Sequence, residues 1–195
     1  SINQAICDLI GKVRYTKNDL IEWEGKYYSM NHSGSYCNQS SSDLLEIVNY
    51  GIEKDASLLH DANVLVVTFG SAWVYRHLTG GVVANCHKIP GTQFVKEKLG
   101  VNDIVSQFSR TLEHLFGVNP NLKVIFTLSP VRHWKDGAIE NQWSKSILNV
   151  AIHELIRRFE KVSYFPAYEL IMDDLRDYRF FKEDLLHPNQ MAIDY

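Results

Sequence analysis

Asn63-Val64-Leu65-Val66-Val67-Thr68-Phe69-Gly70 is a continuous run of β-branched and apolar residues that stops at a glycine. A run with no polar alternation predicts a strand covered on both faces, the pattern of a parallel sheet lying between helices. Leu122-Lys123-Val124-Ile125-Phe126-Thr127-Leu128-Ser129-Pro130 repeats it and ends at a proline, which has no N–H to continue a ladder. Val162-Ser163-Tyr164-Phe165-Pro166 is a third, shorter version.

The segments around these runs carry helical spacing. Leu44, Val48, Ile52, Ala56 and Leu59 fall at steps of three or four, with Asp43 and Glu46 as an acidic start signal. Ile104, Phe108, Leu112, Leu115 and Phe116 follow the expected cap Asn102 and run to Gly117. A third stripe, Ile147, Leu148, Ala151, Ile152, Leu155, Ile156 and Phe159, starts after Ser144. Helix and strand thus alternate over 43–195, which predicts a doubly wound α/β layer. Residues 1–42 read as less regular: an amphipathic stretch from Ile2 to Ile10, an aromatic hairpin turning at Glu24-Gly25, and a polar loop from Asn31 to Ser42. The whole chain, 1–195, is expected to be a single domain.

Composition excludes several classes of function. In 195 residues, 20 Lys and Arg against 23 Asp and Glu leave a net charge of -3. Nucleic-acid binding is not expected, because Arg157-Arg158 is the only tight basic pair and no basic face is available for phosphates. Cys7, Cys37 and Cys86 are far apart and odd in number, so neither a disulfide framework nor a zinc knuckle is supported. No apolar run approaches the ~20 residues of a membrane span, and no basic-then-apolar leader is present, so the expected compartment is the cytoplasm. The chain opens on Ser1 without a methionine and closes on Tyr195 in what reads as an unfinished helix, so it is expected to be part of a longer protein.

Sites in open α/β sheets lie beyond the carboxyl ends of the strands, which directs attention to the loops after Gly70, Ser129 and Pro166. In the first, the backbone at Gly70 and Ser71 can point N–H groups at a developing oxyanion, as can the amide of Asn85 further along. Equally, Gly70 serves only the turn, and Trp73 and Tyr75 only pack. Cys86-His87 is read as loop structure, because catalytic thiols and imidazoles meet in space rather than as neighbours. After the second strand, Arg132 beside His133 suits a substrate carboxylate or phosphate, and Trp134 suits a sugar face. The more frequent arrangement would pair Arg132 with one of the Asp residues of Met172–Arg179. His32, His87, His133 and His187 occupy four loops, none with the spacing H-E-x-x-H or H-x-H, so neither a metal nor another cofactor is expected.

Near the C-terminus, Asp184-Leu185-Leu186-His187 sets a carboxylate three residues before an imidazole. On a helical turn two such residues share a face, so Asp184 would hold His187 in one tautomer and stabilise its imidazolium. The same spacing also arises by chance as a solvated pair.

Seven stretches, in order, resemble the GSCFA-domain family, which is grouped with the SGNH (GDSL-like) hydrolases. They are Thr68–Tyr75, Val83–Lys88, Ser129–His133, Ser144-Lys145, Tyr164–Pro166, Leu175–Arg179 and Asp184–Pro188, and together they span most of the chain. The resemblance implies a three-layer α/β/α fold with a flavodoxin-like parallel sheet. It also implies a serine nucleophile, oxyanion donors and a D-x-x-H pair converging on the carboxyl edge. On that basis Asp184 and His187 are the acid–base pair, and Gly70-Ser71-Ala72 stands where related hydrolases carry a G-x-N oxyanion element. Ala72 replaces the asparagine there, which makes Asn85 the substitute donor. His32-Ser33 resembles a further loop of the family that reaches the site.

The Gly-Ser-Cys-Phe-Ala segment that names the family, and would supply the nucleophile, does not occur in the chain. Gly34-Ser35-Tyr36-Cys37 does not replace it, since no buried-strand run precedes it. A sheet lacking its first strand is expected to expose an edge, which favours pairing with another chain or a homo-oligomer. The expected function is ester hydrolysis on a small-molecule or glycan ester, with the serine outside these residues. The alternative is a non-catalytic, hydrolase-like domain that binds a glycan or a protein through Trp73, Tyr75 and Trp134.

Overall fold

The computed structural model describes residues 2–195, which form two compact units, each considered by itself. The first comprises the chain through Asn63, with Trp73–Glu97 and Gln107–Asn121; the second comprises Val64–Ala72, Lys98–Ser106 and Leu122–Tyr195.

In the first unit, helix α1 (Ile2–Gly11) precedes the hairpin of β1 (Leu20–Trp23) and β2 (Lys26–Ser29). The hairpin turns where expected: Glu24 and Gly25 both take positive φ, 49° and 73°, which a two-residue turn matched to strand twist requires. A short β3 (Cys37–Asn38) completes this antiparallel sheet in the order β1-β2-β3. Helix α2 (Ser41–Asp61) buries Leu44, Val48, Ile52, Ala56 and Leu59, the stripe read from the sequence. Its cap is Ser40, whose Oγ accepts the Asp43 N–H at 3.2 Å; Asp43 lies in the first turn. Tyr15 packs on Leu44, Val48 and Ile52 to close a small core.

The second unit holds the parallel sheet. Strands β4 (Val64–Phe69), β8 (Lys123–Leu128) and β9 (Val162–Phe165) pair in that order, in register from Val64 opposite Lys123 and from Val124 opposite Val162. All three are the runs predicted from composition. Helix α4 (Ala138–Arg158) packs on β8 and β9, burying Leu148, Ala151, Ile152 and Leu155, and His153 sets its ring edge against Tyr164 at 5.5 Å. The sheet face carrying Val67, Phe69, Val124, Phe126 and Leu128 is buried. The other face is open at Val66 (59% exposed) and Phe165 (52%), so the continuous apolar runs do not mark cover on both faces as expected.

Three differences from the sequence reading are local. The stretch after Gly70, read as loop through Lys88, contains β5 (Trp73–His77) and β6 (Val82–Val83), which join β7 (Phe94–Lys98) in a sheet of order β6-β5-β7. Helix α3 (Val101–Val118) is capped by Gly100 and not by Asn102: Asp103 reaches back to the Gly100 N–H at 2.9 Å, and Ile104 N–H donates to the Gly100 carbonyl. It also continues past Gly117 to Val118. Helix α4 starts six residues before Ser144, because Ala138–Trp143 is a largely exposed first stretch with no apolar stripe to announce it.

Candidate active site

In the second unit the Ser144-Lys145 pair of α4 grips the loops at the carboxyl ends of β4 and β8. The Ala72 N–H donates to Ser144 Oγ at 2.7 Å, and Ser71 Oγ stands 3.4 Å from the same oxygen. Lys145 is 1% exposed, and its Nζ donates to the carbonyls of Gly70 at 2.6 Å and Ser129 at 2.7 Å. Burial lowers the Lys145 ammonium from 10.5 to about 8. The two strand-end turns are therefore held at fixed separation by one side chain. Ala72, lacking an amide side chain, also has its own N–H committed to Ser144, so it offers no oxyanion donor.

The loop after β8 brings Arg132 and His133 to the same end of the sheet. The His133 N–H donates to Asn141 Oδ1 at 2.9 Å, and a Cβ added to Gly70 would sit 3.7 Å from His133 Nε2. The imidazole thus lies against the Gly70 backbone. Arg132 does not form the expected ion pair with the 173–177 carboxylates. Its guanidinium stacks over the Phe181 ring at 5.5 Å, while Asp177 faces Arg179 at 3.9 Å. Among the described residues no carboxylate pairs with Arg132.

Phe181 joins this loop to the Asp–His segment. It forms a single antiparallel bridge with Pro188, flanked by the Lys182 N–H donating to the His187 carbonyl at 2.8 Å. Between them Asp184 and His187 meet in an irregular turn, not on the helical turn expected. Asp184 Oδ1 accepts the N–H groups of Leu186 at 2.8 Å and His187 at 2.9 Å, and Oδ2 lies 2.6 Å from His187 Nδ1. Leu185 takes φ 58° to allow it. The two backbone donors, then the imidazole, hold the Asp184 carboxyl down to about 2. A carboxylate only accepts, so Nδ1 donates, and in the neutral ring the lone pair is on Nε2. Both side chains are exposed. The arrangement can accept a proton at Nε2 and return it.

Asn85 and His32 belong to the first unit. Asn85 Oδ1 accepts the His87 N–H at 2.7 Å and its Nδ2 lies close to Gly34, so its amide orders its own loop. His87, at φ 48°, donates through Nε2 to the Ser29 carbonyl at 2.8 Å, and burial pushes the neighbouring Cys86 thiol up, away from thiolate chemistry. His32 is half-buried beside Tyr15 and Tyr36: Nδ1 is 2.7 Å from Ser29 Oγ, and its ring tilts on Tyr36 at 4.7 Å. Desolvation there lowers the His32 imidazole.

Lys145 is the site residue whose role sequence reasoning missed. The available signal was its phase: Lys145, Leu148, Ile152 and Leu155 occupy one helical face, and a lysine on a buried stripe needs acceptors. Among the described residues no three His, Cys, Asp or Glu side chains gather closely enough to hold a metal ion, and no helix is long and apolar enough to cross a membrane.

No curated protein and no solved structure matches the chain. The GSCFA family model, in contrast, matches residues 1–195. With its full length covered by that model, this chain belongs to the GSCFA family.

Proposed function

We propose that the chain supplies the acid–base half of an SGNH-type ester hydrolase. His187 Nε2 takes the proton of a serine hydroxyl as general base and returns it to the leaving alcohol as general acid, with Asp184 as its orienting partner. The observation that carries this reading is the 2.6 Å contact between Asp184 Oδ2 and His187 Nδ1, which fixes the tautomer that leaves Nε2 basic. The turn at Gly70-Ser71, clamped by Lys145, is the oxyanion side.

The finer assignment of fold, a three-layer flavodoxin-like sheet, belongs to the same proposal. Strand β4 pairs with β8 alone among the described residues, and its free edge suits a further strand bearing the serine. Hydrolysis of a short-chain p-nitrophenyl ester by the full-length protein, beside the His187→Ala variant, tests the proposal.

A second reading is a hydrolase-like domain that binds a glycan without cleaving it. It draws on Trp134, 66% exposed at the mouth of a cavity beside Arg132. Retained glycan affinity with no esterase activity would favour it.

A further inference from the structure

Arg132 is a cation of the second unit that no carboxylate pairs among the described residues. Its neighbours Asp173, Asp174 and Asp177 are close in sequence to Phe181, yet among the described residues none reaches it. The guanidinium is half-buried, with one face on the Phe181 ring. An arginine held by an aromatic face keeps its planar fork of N–H donors for a carboxylate.

A cavity of about 180 Å³ opens at this position, lined by Arg132, Trp134, Asn141, Gln142, Tyr168 and Met172 among others. It is small for a pocket that takes a drug-sized ligand, so it admits a short chain rather than a polymer. Its wall carries one guanidinium, the His133 imidazole, neutral amides, a phenol and apolar surface, with no carboxylate. Gln142 is already oriented, since its Oε1 accepts the Tyr168 hydroxyl at 3.1 Å, which leaves its NH₂ as a donor. One fixed positive charge with neutral donors matches a monoanion better than a phosphate dianion. The Phe181 ring under Arg132 belongs to the residue bridged to Pro188, the neighbour of His187 in sequence.

We infer that the site takes small esters bearing a free carboxylate, which Arg132 grips in this cavity while the ester group faces His187. The inference rests on the hydrolase reading for its geometry, but binding can be measured without turnover.

The test is isothermal titration of the protein with monomethyl succinate, which has one carboxylate and one ester, against dimethyl succinate, its uncharged counterpart. The monoester should bind at least about tenfold more tightly, as expected of a charge-assisted bidentate contact. Arg132→Gln should erase that difference, Arg132→Lys should keep part of it, and His187→Ala should leave it intact. Circular dichroism of each variant separates lost binding from lost folding. Equal affinity for the two esters, no heat from either up to millimolar concentration, or a preference that survives Arg132→Gln would overturn the inference. A preference for the monoester in a protein that hydrolyses no ester would sink the hydrolase reading and leave the carboxylate site standing.

Discussion

Lys145 donates from its Nζ to the carbonyl of Gly70 at 2.6 Å, and this one bond ties the middle of α4 to the end of β4. The second acceptor, the Ser129 carbonyl at 2.7 Å, ends β8, so a single amine sets the distance between the two turns at the candidate site. A buried charge is costly, and a neutral amine retains two N–H donors, enough for two carbonyls.

Stability should therefore rise with pH through Lys145. Its folded value is about 8 against an ordinary 10.5. Between those values the unfolded chain holds a proton that the folded chain has released, so unfolding becomes less favourable as pH increases. The gain should be about 3 kcal/mol from pH 8 to 10.5, seen in urea denaturation. Lys145→Met should lack the gain, and at pH 7 it leaves two carbonyls without a donor, a cost of roughly 1–3 kcal/mol each that is partly offset by loss of the buried charge. A pH profile identical in the two proteins would disprove this role for Lys145.

Asp184 should titrate near 2 by carboxyl carbon NMR. Two backbone N–H groups, from His187 and Leu186, lead the causes of the depression, ahead of the imidazole. His187→Ala should consequently leave the Asp184 midpoint well below its ordinary 3.8. A depressed folded value means that the stability Asp184 contributes is complete above 3.8 and is lost as pH falls toward 2. A midpoint near 3.8 in the variant would assign the depression to the imidazole instead.

Asp184→Asn should preserve the turn and abolish turnover. The amide oxygen can still accept the N–H groups of Leu186 and His187, but its NH₂ would face His187 Nδ1 and move the ring proton to Nε2. The expected loss is about ten-thousandfold in kcat, the effect of inverting the tautomer in a Ser-His-Asp triad, with an unchanged circular dichroism spectrum. Full activity in this variant would remove Asp184 from the mechanism.

The strands at 64–69, 123–128 and 162–165 were legible because each is an unbroken run of β-branched and apolar residues with turn residues at its end. That same run could not show that Val66 and Phe165 lie on an open face, since β-branched and aromatic residues also serve exposed strand positions. Trp73–His77 and Phe94–Lys98 escaped notice because they are short and partly exposed and pair across distant sequence. The Asp184–His187 contact was legible from spacing alone, but its geometry was not. The turn depends on Leu185 at φ 58°, a conformation that leucine does not advertise. The ion pair expected for Arg132 failed for a physical reason as well: a cluster of aspartates at 173–177 does not outcompete an aromatic face that packing brings to the guanidinium.

The central claim, that His187 Nε2 is the working base of an ester hydrolase, is tested most directly by turnover of a short-chain p-nitrophenyl ester by the full-length protein. Hydrolysis that falls by about a thousandfold in His187→Ala, with the fold intact, is the predicted result. No hydrolysis, or hydrolysis at the same rate in the variant, would contradict it.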